Sequence, residues 1–288
     1  MRFGVIANLK REGATAALQS FLDWSRRKGH DYLFSEQLRG VIPDGLPTAP
    51  RHAIASEVDI IISMGGDGTM LAAARAVGRV GTPLLGINLG ALGFLTQLKP
   101  RDLLHALDSI VAGQYQIEER MLLRADVQGK PGLESPFALN DVVVDNGPVS
   151  RLIDINLKVN GEDIVTYRAD GLIISTPTGS TAYALAAGGP IVHPKMRATL
   201  VVPISSFSLS TRPMILDPTD VLELRIHSEH GVAGLTLDGQ VTAPLIDTDR
   251  VIVTQAGFPA KFIVFPEDSF YRLVKSKLHW GVSPSGGE

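Results

Sequence analysis

Residues 65–69 (GGDGT) combine three glycines with a carboxylate and a hydroxyl, the sharpest chemical pattern in the sequence. Glycine lets a backbone turn tightly and come close to a ligand. A helix that begins near Thr69 would present unpaired N–H groups and a positive dipole end, which favour phosphate. Asp67 is unsuited to simple anion binding, but it could take a proton from an attacking hydroxyl or hold a metal that bridges phosphates. The alternative is a glycine turn in which Asp67 only caps the helix.

Other phosphate-binding motifs are absent or incomplete. No GxxxxGK[ST] segment occurs, which excludes a P-loop, and the protein-kinase motifs VAIK, HRD and DFG are missing. Gly66 and Gly68 begin a GxGxxG pattern, but Leu71 stands at its third glycine and residues 80–100 contain no acid. The dinucleotide fingerprint of a dehydrogenase is therefore weak.

A second glycine-rich segment covers residues 86–95 (GINLGALGFL), again at the end of a predicted strand. Ligands of open α/β sheets bind beyond the carboxyl ends of the strands, so two such loops would line one crevice. The alternative is a strand-to-helix connection with Asn88 as the cap.

Polar residues suited to binding recur in the second half of the chain. Asn140 and Asp141 interrupt an apolar run, and an amide beside a carboxylate can bind vicinal hydroxyls such as those of a ribose; the alternative is an edge or bulge position. Residues 167–190 gather hydroxyls and glycines, and Tyr183 could stack there on a flat ring. Many hydroxyls with little charge suit a neutral polar heterocycle, although each hydroxyl alone is better explained by a capped turn. Residues 237–240 (LDGQ) indicate a hairpin turn, with Gln240 as a candidate polar contact.

The first half of the chain alternates strand and helix patterns. A nearly continuous apolar run such as 58–64 is typical of a strand covered on both faces. The alternation predicts a parallel sheet flanked by helices. The predicted strands are 2–7, 32–35, 58–64 and 83–88, the predicted helices include 69–77 and 103–111, and 40–52 is predicted to be a loop.

From residue 116 onward the pattern changes to short strands, which predicts an antiparallel, sandwich-like domain. Asn160-Gly161 signals a type I′ hairpin, and a short helix is predicted at 180–187. A last helix, with Asp268 as N-cap, is expected to pack back on the first domain. We therefore predict an α/β domain over 1–115, joined by about 266–282, and a β-rich domain over 116–265. The predicted strands include 116–127, 137–145, 152–159, 164–168, 172–175, 199–204, 221–227, 232–237, 250–254 and 261–265.

The composition excludes several classes of protein. The 288 residues contain no cysteine, which removes disulfides, thiolate metal sites and cysteine nucleophiles. The 27 basic and 30 acidic residues nearly cancel, so no nucleic-acid partner is expected. The uncharged stretch 171–194 is too rich in hydroxyls, glycine and proline to span a membrane. With no recognisable signal peptide, the expected location is the cytoplasm.

Taken together, these motifs resemble the NAD kinase family. The resemblance is carried by GGDGT at 65–69, by 86–95, by the Asn-acid pair at 140–141, by 170–192 (DGLIISTPTGSTAYALAAGGPIV) and by LDGQ at 237–240. It implies transfer of the γ-phosphoryl group of ATP to the 2′-hydroxyl of the adenosine ribose of NAD, which gives NADP. It also implies a Rossmann-like α/β domain followed by an all-β sandwich-like domain, in homodimers or homotetramers.

The resemblance also implies roles for individual residues. Asp67 corresponds to the general base, and Mg²⁺ is expected to arrive with ATP, near Asp67, without a dedicated protein site. Asp141 departs from the glutamate of many relatives, and Phe207 stands where many bacterial members have histidine. The residues implied to contact ATP phosphates or NAD are Gly65, Gly66, Asp67, Gly68, Thr69, Asn140, Asp141, Arg151, Arg168, Asp170, Thr178, Thr181, Ala182, Tyr183, Ala184, Leu185, Ala186 and Gln240.

Two other functions use the same features. GGDGT also occurs in lipid kinases, so a lipid or sugar kinase is one alternative, although no basic membrane patch supports it. A non-catalytic NAD-binding module is the other, although binding alone gains nothing from an acid beside phosphates. The resemblance leaves open ATP or polyphosphate as donor, and NAD or NADH as acceptor.

Overall fold

The chain divides into two compact units in a computed structural model. The first consists of Met1–Glu118 and Lys261–Glu288, and the second is Glu119–Ala260. The structure describes residues 1–96, 98–147, 151–228, 233–247, 249–266 and 268–280. Part of the predicted C-terminal segment, residues 267 and 281–282, lies outside these ranges, as does Val232 of a predicted strand.

The strands of the described residues are β1 Arg2–Ala7, β2 Asp31–Ser35, β3 Thr48–Ala49, β4 Ile60–Gly65, β5 Leu84–Asn88, β6 Gln116–Arg120, β7 Leu123–Val127, β8 Phe137–Ala138, β9 Asp141–Asp145, β10 Ile153–Val159, β11 Glu162–Ala169, β12 Gly171–Ser175, β13 Thr199–Ile204, β14 Met214–Leu216, β15 Leu222–His227, β16 Ala233–Leu237, β17 Val241–Leu245, β18 Arg250–Gln255 and β19 Ala260–Val264. The α-helices are α1 Ala14–Lys28, α2 Arg51–Ile54, α3 Asp67–Val77, α4 Leu103–Val111, α5 Tyr183–Ala186 and α6 Phe270–Lys277.

The first unit is built on a seven-stranded sheet in the order β3-β2-β1-β4-β5-β19-β6. Its pairs β1–β2, β1–β4 and β4–β5 are parallel, which confirms the predicted α/β class. Every residue of β4 is buried, as its apolar sequence requires. β19 pairs in parallel with β5. The prediction had placed this strand in the antiparallel domain, because a short apolar run does not identify its partner.

The second unit contains two six-stranded antiparallel sheets, β11-β10-β15-β18-β7-β8 and β14-β13-β12-β9-β16-β17. One core cluster takes side chains from both sheets, for example Leu157 of β10 and Leu172 of β12. The predicted sandwich-like class is confirmed. The predicted hairpin is also confirmed, because Asn160 and Gly161 join β10 to β11 with φ of 52° and 86°.

Five local predictions are wrong. The strands predicted at 116–127 and 137–145 are each divided between two sheets, because alternation does not record where a chain leaves one sheet for another. The helix predicted at 180–187 is reduced to a 3₁₀ turn, Gly179–Thr181, and α5. The loop predicted at 40–52 contains β3 and the start of α2. The N-cap of α6 is Ser269, whose hydroxyl accepts the Arg272 N–H, and not Asp268. None of the described helices combines the length and apolar character needed to cross a membrane.

Candidate functional site

The GGDGT segment forms the turn between β4 and α3, as the sequence predicted. β4 ends at Gly65, Gly66 is the N-cap, and Asp67 is the first helical residue. A Cβ on Gly65 would lie 2.2 Å from the Thr69 Oγ1 atom, so only glycine fits at this close approach. Because α3 begins at this turn, the positive end of its dipole faces the turn, which favours phosphate.

The Asp67 carboxylate is held by the loop that follows β5. Its Oδ1 atom accepts the N–H of Leu95 at 3.0 Å and both the N–H and the hydroxyl of Thr96 at 3.1 Å. Its Oδ2 atom accepts the Phe94 N–H at 2.8 Å. Each carboxylate oxygen offers about two acceptor positions, and Oδ2 accepts one bond from the described residues, so it keeps one position for a ligand. Asp67 is thus oriented by its neighbours and does not cap α3 through its side chain.

The two predicted glycine segments meet at Asp67. A Cβ on Gly93 would lie 1.9 Å from the Asp67 Oδ1 atom, so the loop can approach only because residue 93 has no side chain. Asn88 stabilises the same loop: its amide donates to the carbonyls of Ala91 at 2.9 Å and Thr96 at 3.0 Å. No described helix begins here, so the alternative role of Asn88 as a helix cap is wrong.

A cavity of about 440 Å³ lies at this turn. Three cationic residues that the sequence prediction missed line it, namely Lys10, Arg11 and Arg51. Burial and the nearby charge of Arg75 lower the pKa of Arg51, so positive charge is concentrated at this place. The rest of its lining is Ala7, Asn8, Leu9, Gln37, Gly66, Asp67, Gly68, Thr69 and Ala72.

The sequence contains a signal for two of these three cationic residues and none for the third. Lys10 and Arg11 follow β1 by a few residues, at the carboxyl end of a predicted parallel strand, where ligands of such sheets bind. That rule could have identified them. Arg51 opens α2 within the predicted loop, and no sequence signal marks it.

The Asn140-Asp141 pair lies where the chain passes from one sheet of the second unit to the other. β8 pairs with β7, whereas β9 pairs with β12 and β16. The Asn140 carbonyl accepts the N–H of Thr176 at 2.9 Å and the Ser175 hydroxyl at 3.1 Å. A Cβ on Gly179 would lie 2.1 Å from the same oxygen. The structure therefore packs the predicted hydroxyl-rich segment against the Asn-acid pair.

A second cavity, of about 330 Å³, opens at this pair. Four predicted residues line it, namely Asn140, Asp141, Ala182 and Tyr183. Tyr183 is 46% exposed, so its ring can receive a planar ligand. The rest of the lining is Val143, Asp145, Thr236, Asp238 and Gly239.

Asp141 is the unusual group of this cavity. It is only 5% exposed, and among the described residues none donates a hydrogen bond to its carboxyl group. Burial, together with the negative charge of Asp238, raises the pKa of Asp141 to about 7. At neutral pH this carboxyl group therefore exchanges between its two protonation states.

The other predicted contacts lie outside these two linings. The Asp170 carboxylate accepts the Asn146 amide at 3.3 Å, and the Thr178 hydroxyl accepts Arg120 at 3.3 Å. Ala184 is fully buried in an apolar cluster, and its carbonyl accepts the Gly189 N–H at 2.8 Å. The remaining residues of this group are Gly65, Arg151, Arg168, Thr181, Leu185, Ala186 and Gln240. Within the described residues, no three His, Asp or Glu side chains are grouped as a metal site would need.

Comparison with known proteins gives consistent matches. The family model of the ATP-NAD kinase N-terminal domain matches residues 6–115, and that of the C-terminal domain matches 139–265. An NAD kinase of Moorella thermoacetica is 39% identical, over 100% of this chain and 92% of its own. An NAD kinase of Heliobacterium modesticaldum is 45% identical, over 78% and 80% respectively. The crystal structure of an NAD kinase from Archaeoglobus fulgidus in complex with ATP is 26% identical, with a TM-score of 0.78 over 97% of this chain and 99% of that one.

Proposed function

Because this chain belongs to the NAD kinase family, we propose that it transfers the γ-phosphoryl group of ATP to the 2′-hydroxyl of the adenosine ribose of NAD. The products are ADP and NADP. The observation that carries the proposal is the cavity at the GGDGT turn, which is lined by a helix N-terminus, three cationic side chains and one oriented carboxylate.

The phosphates of ATP fit this cavity. Lys10, Arg11 and Arg51 supply charge-assisted donors, and the N–H groups of the first turn of α3 supply a dipole of the same sign. Little covalent chemistry is required of the protein in phosphoryl transfer, so positioning and charge stabilisation account for most of the rate. We assign Gly65, Gly66, Gly68 and Thr69 to this phosphate end.

Mg²⁺ enters as part of the donor, magnesium-bound ATP. Proteins usually hold this ion through one or two carboxylates together with substrate phosphates. Asp67 is the carboxylate in the lining of the turn cavity, so the residues there fit an ion that is shared with the phosphates. When bound, the ion neutralises charge on the phosphates.

Asp67 is the proposed proton acceptor. The loop holds its carboxylate in one orientation, and the Oδ2 atom keeps an acceptor position for the 2′-hydroxyl of the substrate. As the ribose oxygen forms its bond to the γ-phosphorus, the bond from that phosphorus to the β–γ bridging oxygen breaks, and the hydroxyl proton passes to Asp67.

The dinucleotide end is proposed at the second cavity. Asn140 and Asp141 would bind ribose hydroxyls, and Tyr183 would stack on a ring. The further contacts that we propose are Arg151, Arg168, Asp170, Thr178, Thr181, Ala182, Ala184, Leu185, Ala186 and Gln240.

We also propose a cytoplasmic homodimer or homotetramer. Phe207 is 75% exposed and Leu209 is 92% exposed, and two such apolar side chains so close in sequence suit an interface. Light scattering after size exclusion should give two or four chains per particle. A single chain per particle at micromolar concentration would contradict this part of the proposal.

A coupled assay tests the function. Purified protein is mixed with Mg²⁺, with NAD or NADH, and with ATP or polyphosphate, and NADP(H) is detected with an NADP-specific dehydrogenase. We expect NADP from NAD and ATP. Binding of NAD without ATP consumption would favour a non-catalytic module, and phosphorylation of diacylglycerol in a parallel reaction would favour a lipid kinase.

A further inference from the structure

The chain needs a substitute for sheet hydrogen bonds at residues 139–141. β8 ends at Ala138 in one sheet and β9 begins at Asp141 in the other. Leu139 and Asn140 lie in no strand of the described residues, so sheet pairing does not supply acceptors for their backbone N–H groups, and a buried N–H group without an acceptor costs free energy. Leu139 and Asp141 are both buried, so water does not solve the problem at those positions.

The Asp238 carboxylate supplies the missing acceptors. Its Oδ2 atom accepts the Leu139 N–H at 3.0 Å, and its Oδ1 atom accepts the N–H of Asn140 at 2.7 Å and of Asp141 at 3.3 Å. The Asp238 N–H donates in return to the Asp141 carbonyl at 2.9 Å. These four bonds fix the backbone that carries Asn140 and Asp141.

The turn between β16 and β17 brings Asp238 to this position. Asp238 has φ of 52°, a left-handed conformation that aspartate and asparagine tolerate better than most residues. The side chain is 8% exposed, so its negative charge lies in a poorly solvated place beside Asp141. Burial and this charge together raise the pKa of Asp141 to about 7.

We infer that Asp238 is the positioning residue of the dinucleotide site: its carboxylate fixes the backbone of Asn140 and Asp141 and places a second acidic group beside the Asp141 carboxyl group. A protonated carboxyl group can donate a hydrogen bond to a ribose oxygen, and it adds no negative charge towards the pyrophosphate of a dinucleotide. Only the identity of this ligand rests on the proposed function.

Two substitutions separate the two parts of the inference. Asp238→Asn keeps the side-chain shape and tolerance of the left-handed conformation, and its one oxygen can still accept the N–H groups of Asn140 and Asp141. It removes the charge and the acceptor of the Leu139 N–H. Asp238→Gly also accepts that backbone conformation, but it removes all three hydrogen bonds that the Asp238 carboxylate accepts. Asp145→Asn is the matched control for charge. Asp145 lines the same cavity, but its carboxylate accepts the Gly147 N–H and none of the N–H groups of residues 139–141.

The titration of Asp141 is the first measurement. Its carboxyl ¹³C signal, assigned by its loss in Asp141→Asn, should titrate near pH 7 in the wild-type chain. In Asp238→Asn the midpoint should fall by about one pH unit or more, because the neighbouring charge is gone. Asp145→Asn should leave the midpoint in place. An unchanged midpoint in Asp238→Asn, or an equal fall in Asp145→Asn, would show that the charge of Asp238 does not control the titration of Asp141.

Kinetics are the second measurement. In Asp238→Gly the KM for NAD should rise about tenfold or more, whereas kcat at saturating NAD and the KM for ATP should stay within about threefold of wild type. In the wild-type chain the KM for NAD should change with pH near neutrality, as Asp141 titrates. In Asp238→Asn this change should occur at lower pH. An unchanged KM for NAD in Asp238→Gly would overturn the positioning part. If the wild-type chain makes no NADP, the proposed function fails, while the titration still decides the coupling of Asp238 to Asp141.

Discussion

Two carboxylates at the two candidate sites have opposite surroundings. Asp67 accepts four hydrogen bonds, three of them from the backbone of residues 94–96. Asp141 accepts none from the described residues and is buried beside a second carboxylate, Asp238. One acid is held in a fixed orientation, and the other shares its site with a like charge.

The difference indicates two uses of the same side chain. A held carboxylate with one acceptor position left suits a group that must meet a reacting hydroxyl at a defined place. An unpartnered carboxyl group whose pKa lies near neutrality suits recognition by hydrogen bonds in either direction. Exchange of a single charge for an amide should therefore have different consequences at the two positions.

The largest effect is expected at Asp67. Asp67→Asn would turn an amide N–H₂ group towards backbone N–H donors and would lose the proton acceptor. We expect kcat to fall by roughly 10²–10⁴-fold, with NAD binding retained. Steady-state kinetics and a binding titration measure the two effects. Near-normal turnover would show that Asp67 is not the proton acceptor.

Asp141→Asn tests the raised pKa of Asp141 through the stability of the folded chain. Between about pH 4 and 7 the folded chain keeps a proton on Asp141 that the unfolded chain has lost, so the wild-type stability falls as the pH rises through this window. The amide variant has no such loss. From about pH 5 to pH 8, the stability of the variant relative to wild type should grow by on the order of 3 kcal/mol.

Urea unfolding at the two pH values measures this difference. Asp145→Asn, in the same cavity, serves as the control and should show a smaller pH dependence. A relative stability that does not change with pH would show that Asp141 titrates as an ordinary carboxyl group.

Gly93→Ala disturbs the hydrogen bonds of Asp67 without altering the acid. The new Cβ would lie 1.9 Å from the Asp67 Oδ1 atom, so the loop must move. We expect a loss of about 1–3 kcal/mol in stability and a lower kcat. Gly66→Ala is the control for stability, because its Cβ would meet no atom within 4 Å. Equal melting temperatures for the two variants would contradict the close approach.

The smallest effect is expected at Tyr183. Tyr183→Ala should raise the KM for NAD about tenfold through lost stacking, with little change in melting temperature because the ring is 46% exposed. Tyr183→Phe keeps the ring and should behave like wild type. An unchanged KM in the alanine variant would place the ring of the ligand elsewhere.

Sequence patterns predicted the parts of the site that depend on local chemistry. GGDGT between a buried strand and a helix is readable because glycine, strand and helix signals lie side by side. Asn140 and Asp141 were visible because polar residues are rare in an apolar run. Both features were found in the structure where the patterns placed them.

Features that depend on distant parts of the chain were not predictable. Asp238 acts on residues almost a hundred positions earlier, and the need for it arises only because the chain changes sheets between β8 and β9. Alternation of residues cannot show that change, and LDGQ alone indicates only a turn. The hydrogen bonds from residues 94–96 to Asp67 likewise need the loop closed in three dimensions.

The most direct test of the account is the fate of the γ-phosphate of ATP. The chain is incubated with γ-³²P-labelled ATP, Mg²⁺ and NAD, and the label is followed by chromatography. We expect label on the 2′-position of NADP in a one-to-one ratio with the ADP formed, and almost none with Asp67→Asn. Label that remains in ATP while NAD binds, or that passes to another acceptor, would contradict it.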